Sequence, residues 1–181
     1  MQYRYILALD PSGNFNEGKG TTGWCLFNAV NNTISKIGSI SASDYKCMES
    51  YWNQHLILIE DYIKKYNNDL IVVFEDYVLY ESKMKSQIHS RMETPKIIGI
   101  MQWYCHRHNI PYAMQMASEV KNRWNDKILL HKKYIIEKGN KFYLPNSMPL
   151  NKHNKDAVRH AIHYNVFRNG GLKFAKTDNE C

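Results

Sequence analysis

Two acidic residues stand where apolar runs end. Asp10 closes Ile6-Leu7-Ala8-Leu9, and Glu75 closes Leu70-Ile71-Val72-Val73-Phe74. A carboxylate against such runs is costly to desolvate unless a cation or several hydrogen-bond donors meet it. One such acid can simply mark where a strand leaves the core; two in one small sheet favour a shared task. A third element, residues 151–164, places His153, Asp156 and His160 at i, i+3 and i+7, on one helical face. Taken alone, that face could be a solvated polar stripe. The small Ala157 and Ala161 beside it, with Tyr164, instead offer a surface that docks on a sheet and presses Asp156 against it. Carboxylate oxygens and imidazole nitrogens without cysteine suit hard divalent cations such as Mg²⁺ or Mn²⁺. Two such ions about 3.5–4 Å apart can hold an attacking water and the leaving 3′ oxygen of a phosphodiester in line. No Walker A motif and no nucleophilic serine or cysteine arrangement is evident.

The elements that must position these residues follow from periodicity. Tyr3–Leu9, Thr21–Phe27 and Thr33–Ile40 read as three strands of an antiparallel meander, separated by the glycine-rich stretch 11–20 and by the turn-forming Asn31-Asn32. Ser43 or Asp44 caps a helix running to Tyr66, whose apolar side carries Tyr51, Trp52, His55, Leu56, Ile59, Tyr62 and Ile63. Leu70–Phe74, apolar throughout and rich in β-branched residues, predicts a strand buried on both faces. A helix over Pro95–His108, a strand over Ile110–Met114 and helical patterns at Ser118–Trp124, Asp126–Lys138 and Asn151–Phe167 complete the chain, with 139–149 as a loop. The expectation is an α/β fold in which three antiparallel and then two parallel strands form one five-stranded mixed sheet flanked by helices. Trp103 and Trp124 are expected in the core, and His160 and His163 as packing residues or as supports behind the ligands rather than as ligands. Cys105-His-Arg-His108 reads as a helix end, since its spacing lacks a second ligand pair.

Length and composition set the boundaries. The chain has 181 residues, room for a single domain, assigned to 1–168 with a flexible tail over 169–181. It carries 24 Lys+Arg against 17 Asp+Glu, a formal net charge of +7. Residues 1–80 hold 6 basic and 9 acidic side chains, while 81–140 hold 11 and 5. A basic second half on a mildly acidic first half points to a polyanion partner. Lys83, Lys85, Arg91 and Lys96 follow Tyr77 and Tyr80, and basic residues interleaved with aromatics suit a nucleic-acid surface, although a solvated loop has the same composition. No apolar run approaches the roughly 18–20 residues of a membrane span, and the amino terminus is not a signal peptide. Four cysteines without paired spacing fit a reducing, cytoplasmic compartment.

Taken together, these motifs resemble the RuvC-type Holliday junction resolvases of the ribonuclease H-like superfamily, especially the short phage-encoded members. The likeness runs from about Tyr5 to Tyr164. It rests on Leu7-Ala-Leu-Asp-Pro-Ser-Gly13 with Gly20-Thr-Thr-Gly-Trp24, on Val73-Phe-Glu-Asp-Tyr77, on Ile98-Gly-Ile-Met-Gln-Trp103 with Asn109-Ile-Pro-Tyr112 and Ala117-Ser-Glu-Val-Lys-Asn122, and on His153-Asn-Lys-Asp-Ala157. The resemblance implies a ribonuclease H-like fold and paired cuts in four-way or other branched DNA. It also implies two Mg²⁺ ions, with Mn²⁺ able to substitute, on Asp10, Glu75, His153 and Asp156, and a homodimer that supplies two symmetric cuts. Lys121 and Lys132 match the family's basic DNA-contacting positions, and Arg123 joins them with Lys83, Lys85, Arg91, Tyr77 and Tyr80 as a DNA-binding set.

Three departures from the pattern matter. The stretch between Asp10 and Gly20 is long, Val78 stands where an aromatic wedge is expected, and position 153 is histidine rather than aspartate. Tyr77 or Tyr80 could take the stacking role, and His153 could be a ligand or a proton donor. Two other readings stay open: a ribonuclease H-like nuclease with little junction preference, and a non-catalytic protein that binds branched nucleic acid.

Overall fold

The structure, a computed structural model, describes residues 2–78 and 91–170. Strands β1 (Tyr5–Asp10), β2 (Thr21–Asn28) and β3 (Thr33–Ser41) form the antiparallel meander, and β4 (Leu70–Asp76) and β5 (Tyr112–Met116) add in parallel to the other side of β1. The order β3-β2-β1-β4-β5 is the expected mixed sheet. Helix α1 (Met48–Tyr66) leads into β4, and α2 (Glu93–Arg107) precedes β5. Short helices α3 (Ala117–Arg123) and α4 (Asp126–His131) follow, then α5 (Lys152–Phe167).

Strand alternation divides the molecule into two cores. Ile6 and Ala8 of β1, Cys25 and Phe27 of β2, and Ile71 and Val73 of β4 face α5 and pack with Ala157, Val158, Ala161 and Ile162. Leu7, Leu9, Leu26, Val72 and Phe74 face the other way, onto Tyr51 and Ile59 of α1 and Ile97, Met101 and Cys105 of α2. Continuing the first set by two residues places Asp10 and Glu75 on the α5 face, at the carboxyl ends of neighbouring parallel strands. Asn151 caps α5 by accepting from the Asn154 N–H at 2.7 Å. The alanines bring this helix close to the sheet, and Gly23, the ladder partner of Asp10, completes the approach. A Cβ on Gly23 would lie 2.2 Å from the His153 carbonyl carbon.

Several sequence expectations shift. The helix over Asp126–Lys138 stops at His131, because Lys133 takes a left-handed φ of 60° and Tyr134 N–H bonds back to the Leu129 carbonyl at 3.0 Å. The chain then enters a second sheet of β6 (Ile136–Lys138), β7 (Lys141–Tyr143) and β8 (Pro149–Leu150), so the stretch 139–149 is not all loop. Helix α1 starts at Met48 rather than at Ser43 or Asp44, which lie in a 3₁₀ turn. The fifth strand begins at Tyr112, since Pro111 has no N–H to give a ladder. Trp103 is 63% exposed, on the side of α2 away from Ile97, Met101 and Cys105, whereas Trp124 is buried. Asn169, assigned to the tail, is buried and exchanges two 2.7 Å hydrogen bonds with the Tyr3 backbone. Among the described residues no helix is long and apolar enough to cross a membrane.

Candidate active site

The four residues singled out for chemistry lie together at the carboxyl end of the parallel strands. Asp10 ends β1, Glu75 stands next to last in β4, and His153 and Asp156 occupy the first two turns of α5. Asp10 and Asp156 are 6% and 2% exposed, while Glu75 is half-buried. His153 Nδ1 lies 2.7 Å from Asp10 Oδ2. Burial and the neighbouring charges of Glu75 and Asp156 push the Asp10 carboxyl above its ordinary range, against the pull of its bond to His153. That hydrogen bond in turn raises the His153 imidazole.

Glu75 is held from two sides. His160 Nε2 lies 3.2 Å from Glu75 Oε2, and Lys121 Nζ is 3.4 Å from the same oxygen. Burial alone would raise Glu75, yet the His160 hydrogen bond and the Lys121 charge outweigh it and hold the carboxyl low. Gln115 of β5 fixes the histidine: its amide nitrogen donates to the His160 carbonyl at 3.1 Å and to Nδ1 at 2.9 Å, and its oxygen accepts from Tyr164 N–H. Nδ1 is thereby an acceptor, so Nε2 carries the proton that Glu75 receives. Lys121, from α3, also reaches Asp156 Oδ2 at 3.2 Å and spans the two acids. Burial works against its charge, but Glu75, Asp156 and Asp10 together raise its pKa.

Asp156 has a second cation that its sequence context did not announce. Arg159 donates through one terminal nitrogen to Asp156 Oδ1 and through the other to Asp126 Oδ1, while its Nε donates to the Trp124 carbonyl at 2.9 Å. Lys155 Nζ adds a 2.8 Å contact to Asp126. Only the i, i+3 spacing of Asp156 and Arg159 is visible in the sequence; Asp126 arrives through the corner between α3 and α4.

The loop after Asp10 is tied down as well. Gly13 N–H donates to Thr94 Oγ1 at 2.9 Å, and Phe15 N–H donates to the buried Glu93 carboxylate at 2.5 Å. Asn16 donates to the other Glu93 oxygen and accepts from Arg91 at 2.7 Å. The long 11–20 stretch is thus anchored to the start of α2, and Arg91, expected on a DNA surface, serves as one of its anchors.

The remaining basic and aromatic candidates lie outside this cluster. Arg123, at the end of α3, is exposed and stacks over Phe167 at 4.9 Å. Lys132 is exposed just past the end of α4. Tyr77 packs, half-buried, beside the core on the α1 and α2 side. Lys83, Lys85 and Tyr80 lie outside the described residues.

Among the described residues no three His, Cys, Asp or Glu side chains stand in an arrangement that would hold a metal ion as they are. The donor set nonetheless fits one in kind. Three carboxylates from three elements supply hard oxygens, and the burial that raises Asp10, with the added repulsion of Glu75 and Asp156, is what a cation between them would offset. In this arrangement His153 and Lys121 meet that need.

No protein-family model matches the chain, and neither does any curated protein. Solved structures do match in shape. RuvC of Thermus thermophilus in complex with a Holliday junction substrate aligns over 93% of this chain and 97% of that one, at 13% identity and a TM-score of 0.64. A second Thermus thermophilus RuvC structure aligns over 92% and 96%, at 11% identity and a TM-score of 0.62. The chain therefore has a RuvC-type, ribonuclease H-like α/β fold.

Proposed function

We propose that this chain is a metal-dependent endonuclease that resolves four-way and other branched DNA by hydrolysing phosphodiesters at the Asp10–Glu75–Asp156 cluster. One observation carries the reading. Three carboxylates converge at the carboxyl ends of the parallel strands, within a fold that extends along nearly the whole of a RuvC chain seen on a Holliday junction. Asp10, Glu75 and Asp156 would hold Mg²⁺ or Mn²⁺, with His153 beside them. Such ions, when bound, ease water attack at phosphorus and offset the charge that builds on the leaving oxygen.

The chain's own residues do the rest. His160 donates to Glu75 and keeps one oxygen of that carboxylate fixed, while Arg159 does the same for Asp156. Lys121, 40% exposed at its side chain, can turn its ammonium from the two acids toward an incoming phosphate and stabilise its charge in the transition state. Arg123 and Lys132, both exposed, are read as phosphate contacts that position the strand. A homodimer would supply the two cuts that a two-fold junction requires.

The test is cleavage of a labelled mobile four-way junction beside linear duplex of the same sequence, with Mg²⁺ or Mn²⁺ present. Asp10→Asn and Glu75→Gln serve as controls. The expected result is paired symmetric nicks in the junction alone, lost in both variants while junction binding persists. Equal cutting of both substrates would indicate a ribonuclease H-like nuclease without junction preference. The ion pairs favour one further reading, a non-catalytic junction binder, because Asp156 already has two protein cations. Binding without metal-dependent cutting, unchanged in Asp10→Asn, would establish it instead.

A further inference from the structure

On the face of the sheet opposite the acids, a polar cluster lies wholly inside the α1 core. Thr22, Tyr51 and His55 each have no exposed surface. His55 Nδ1 is 2.8 Å from the Tyr51 carbonyl, which can only accept, so Nδ1 carries the ring proton. His55 Nε2 then accepts from the Thr22 hydroxyl at 2.8 Å. Thr22 Oγ1 accepts in turn from Ser12 N–H at 3.1 Å, and the Tyr51 hydroxyl donates to the Ser12 carbonyl at 2.7 Å. Each proton has one direction, and both backbone groups of Ser12 are engaged.

The position of Ser12 gives this cluster its meaning. The β1–β2 ladder ends at the Asp10–Gly23 pair, so Asp10 is the last residue that the sheet itself holds. Terminal residues of a strand open locally at little cost unless the chain beyond them is fixed. Ser12 is two residues beyond Asp10, and Thr22 adjoins its ladder partner. The clamp therefore continues the work of the ladder with side chains. Burying three polar side chains in an apolar core is expensive unless every group is paired, and here the pairing converges on one backbone position.

We infer that Thr22, Tyr51 and His55 are positioning residues for Asp10, holding its carboxylate in register with Glu75 and Asp156 through the backbone of Ser12. The inference rests on the nuclease reading above. Its test is Thr22→Val, nearly isosteric, with Thr22→Ser as the conservative rescue and Tyr51→Phe removing a single hydroxyl. Junction cleavage is measured well below each variant's melting temperature, together with amide hydrogen exchange over residues 10–14.

Thr22→Val is expected to lower kcat roughly 10- to 100-fold with little change in KM, since small misplacement of a reacting group has costs of that size. Exchange at Ser12 should quicken in parallel, and Thr22→Ser should restore both. Tyr51→Phe should give the same pattern more weakly, and it decides the matter if Thr22→Val does not fold. A lower melting temperature with kcat and KM intact would overturn the inference and leave a packing role only. A wild-type chain that cuts no junction would overturn the nuclease reading and this inference with it.

Discussion

His153 and Asp10, 143 residues apart in sequence, meet at 2.7 Å between Nδ1 and Oδ2, and they do so because Gly23 has no side chain. The first turn of α5 rests on the backbone of β2 at the position that pairs with Asp10. The imidazole consequently reaches the carboxylate directly, and each perturbs the other. His153 is raised by its bond to Asp10, so the pair is fully formed below the ordinary histidine value, down to where the raised Asp10 carboxyl takes up its proton, and weakens as pH rises through the folded histidine value.

The titration of His153 should therefore report on Asp10. Followed by NMR, the His153 ring should titrate above 6.5 in the free protein. Asp10→Asn should lower its midpoint, because the hydrogen bond to a charged carboxylate is then gone. A midpoint unmoved by Asp10→Asn would mean that the two side chains do not meet in solution.

Gly23→Ala tests the approach of the helix. The new methyl would fall 2.2–2.5 Å from the His153 carbonyl and the Asn154 nitrogen, all backbone atoms that cannot swing aside. The helix must shift, at a cost of about 1–3 kcal/mol. Cleavage should fall further than this loss of stability explains, because His153 and Asp156 move away from Asp10 together. Wild-type melting and wild-type cleavage in Gly23→Ala would show that the contact is looser than described.

Arg159 and Asp156 should respond unequally to substitution. Removing Arg159 leaves a carboxylate that is 2% exposed with Lys121 as its remaining cation, so the loss should stay below the roughly 3–5 kcal/mol of breaking a buried pair with no second partner. Asp156→Asn leaves Arg159 still bonded to Asp126 and to the Trp124 carbonyl, so its cost should be smaller. Urea denaturation of Arg159→Met and Asp156→Asn measures both. Excess Mg²⁺ should recover part of the Arg159→Met loss if a divalent ion takes the guanidinium's place; equal losses in the two variants would contradict the pairing.

What the sequence made legible follows from two periods. Alternation in β1 and β4 put Asp10 and Glu75 on one face, and the 3.6-residue repeat put His153, Asp156 and His160 along one side of α5. The rest depended on contacts that no local pattern encodes. Arg159 matters because Asp126 and the Trp124 carbonyl reach it around a corner of the chain, and Gln115 matters because an edge strand passes beside His160. The strands β6, β7 and β8 have three, three and two residues, too few to establish a period. At their start, Ile135 just before β6 and Ile136 within it follow Ile128 and Leu129 by seven residues each, which mimics helical spacing instead. Lys121 was legible as a basic residue but not as the cation between Glu75 and Asp156, which requires α3 to carry its side chain to the end of β4 and the start of α5.

The His55 clamp predicts a specific fall in stability with acid. Burial lowers the imidazole from 6.5 to about 4, despite the opposing bond to the Tyr51 carbonyl. In the unfolded chain the ring binds a proton near its ordinary value, while the folded protein refuses one until near pH 4. Between these values the unfolded state holds more protons, so stability is complete above about 6.5 and drains away as pH falls toward about 4. The shift corresponds to roughly 3 kcal/mol at the acid end. Urea denaturation of the wild type should show this decline between pH 7 and pH 4.5, superposed on whatever the carboxylates contribute. His55→Gln, which has no ring to protonate, should have a flatter profile over the same window even though it is less stable at neutral pH. Parallel profiles in the two proteins would mean that His55 is not held neutral, and that the proton directions drawn from it to Thr22 and Ser12 are wrong.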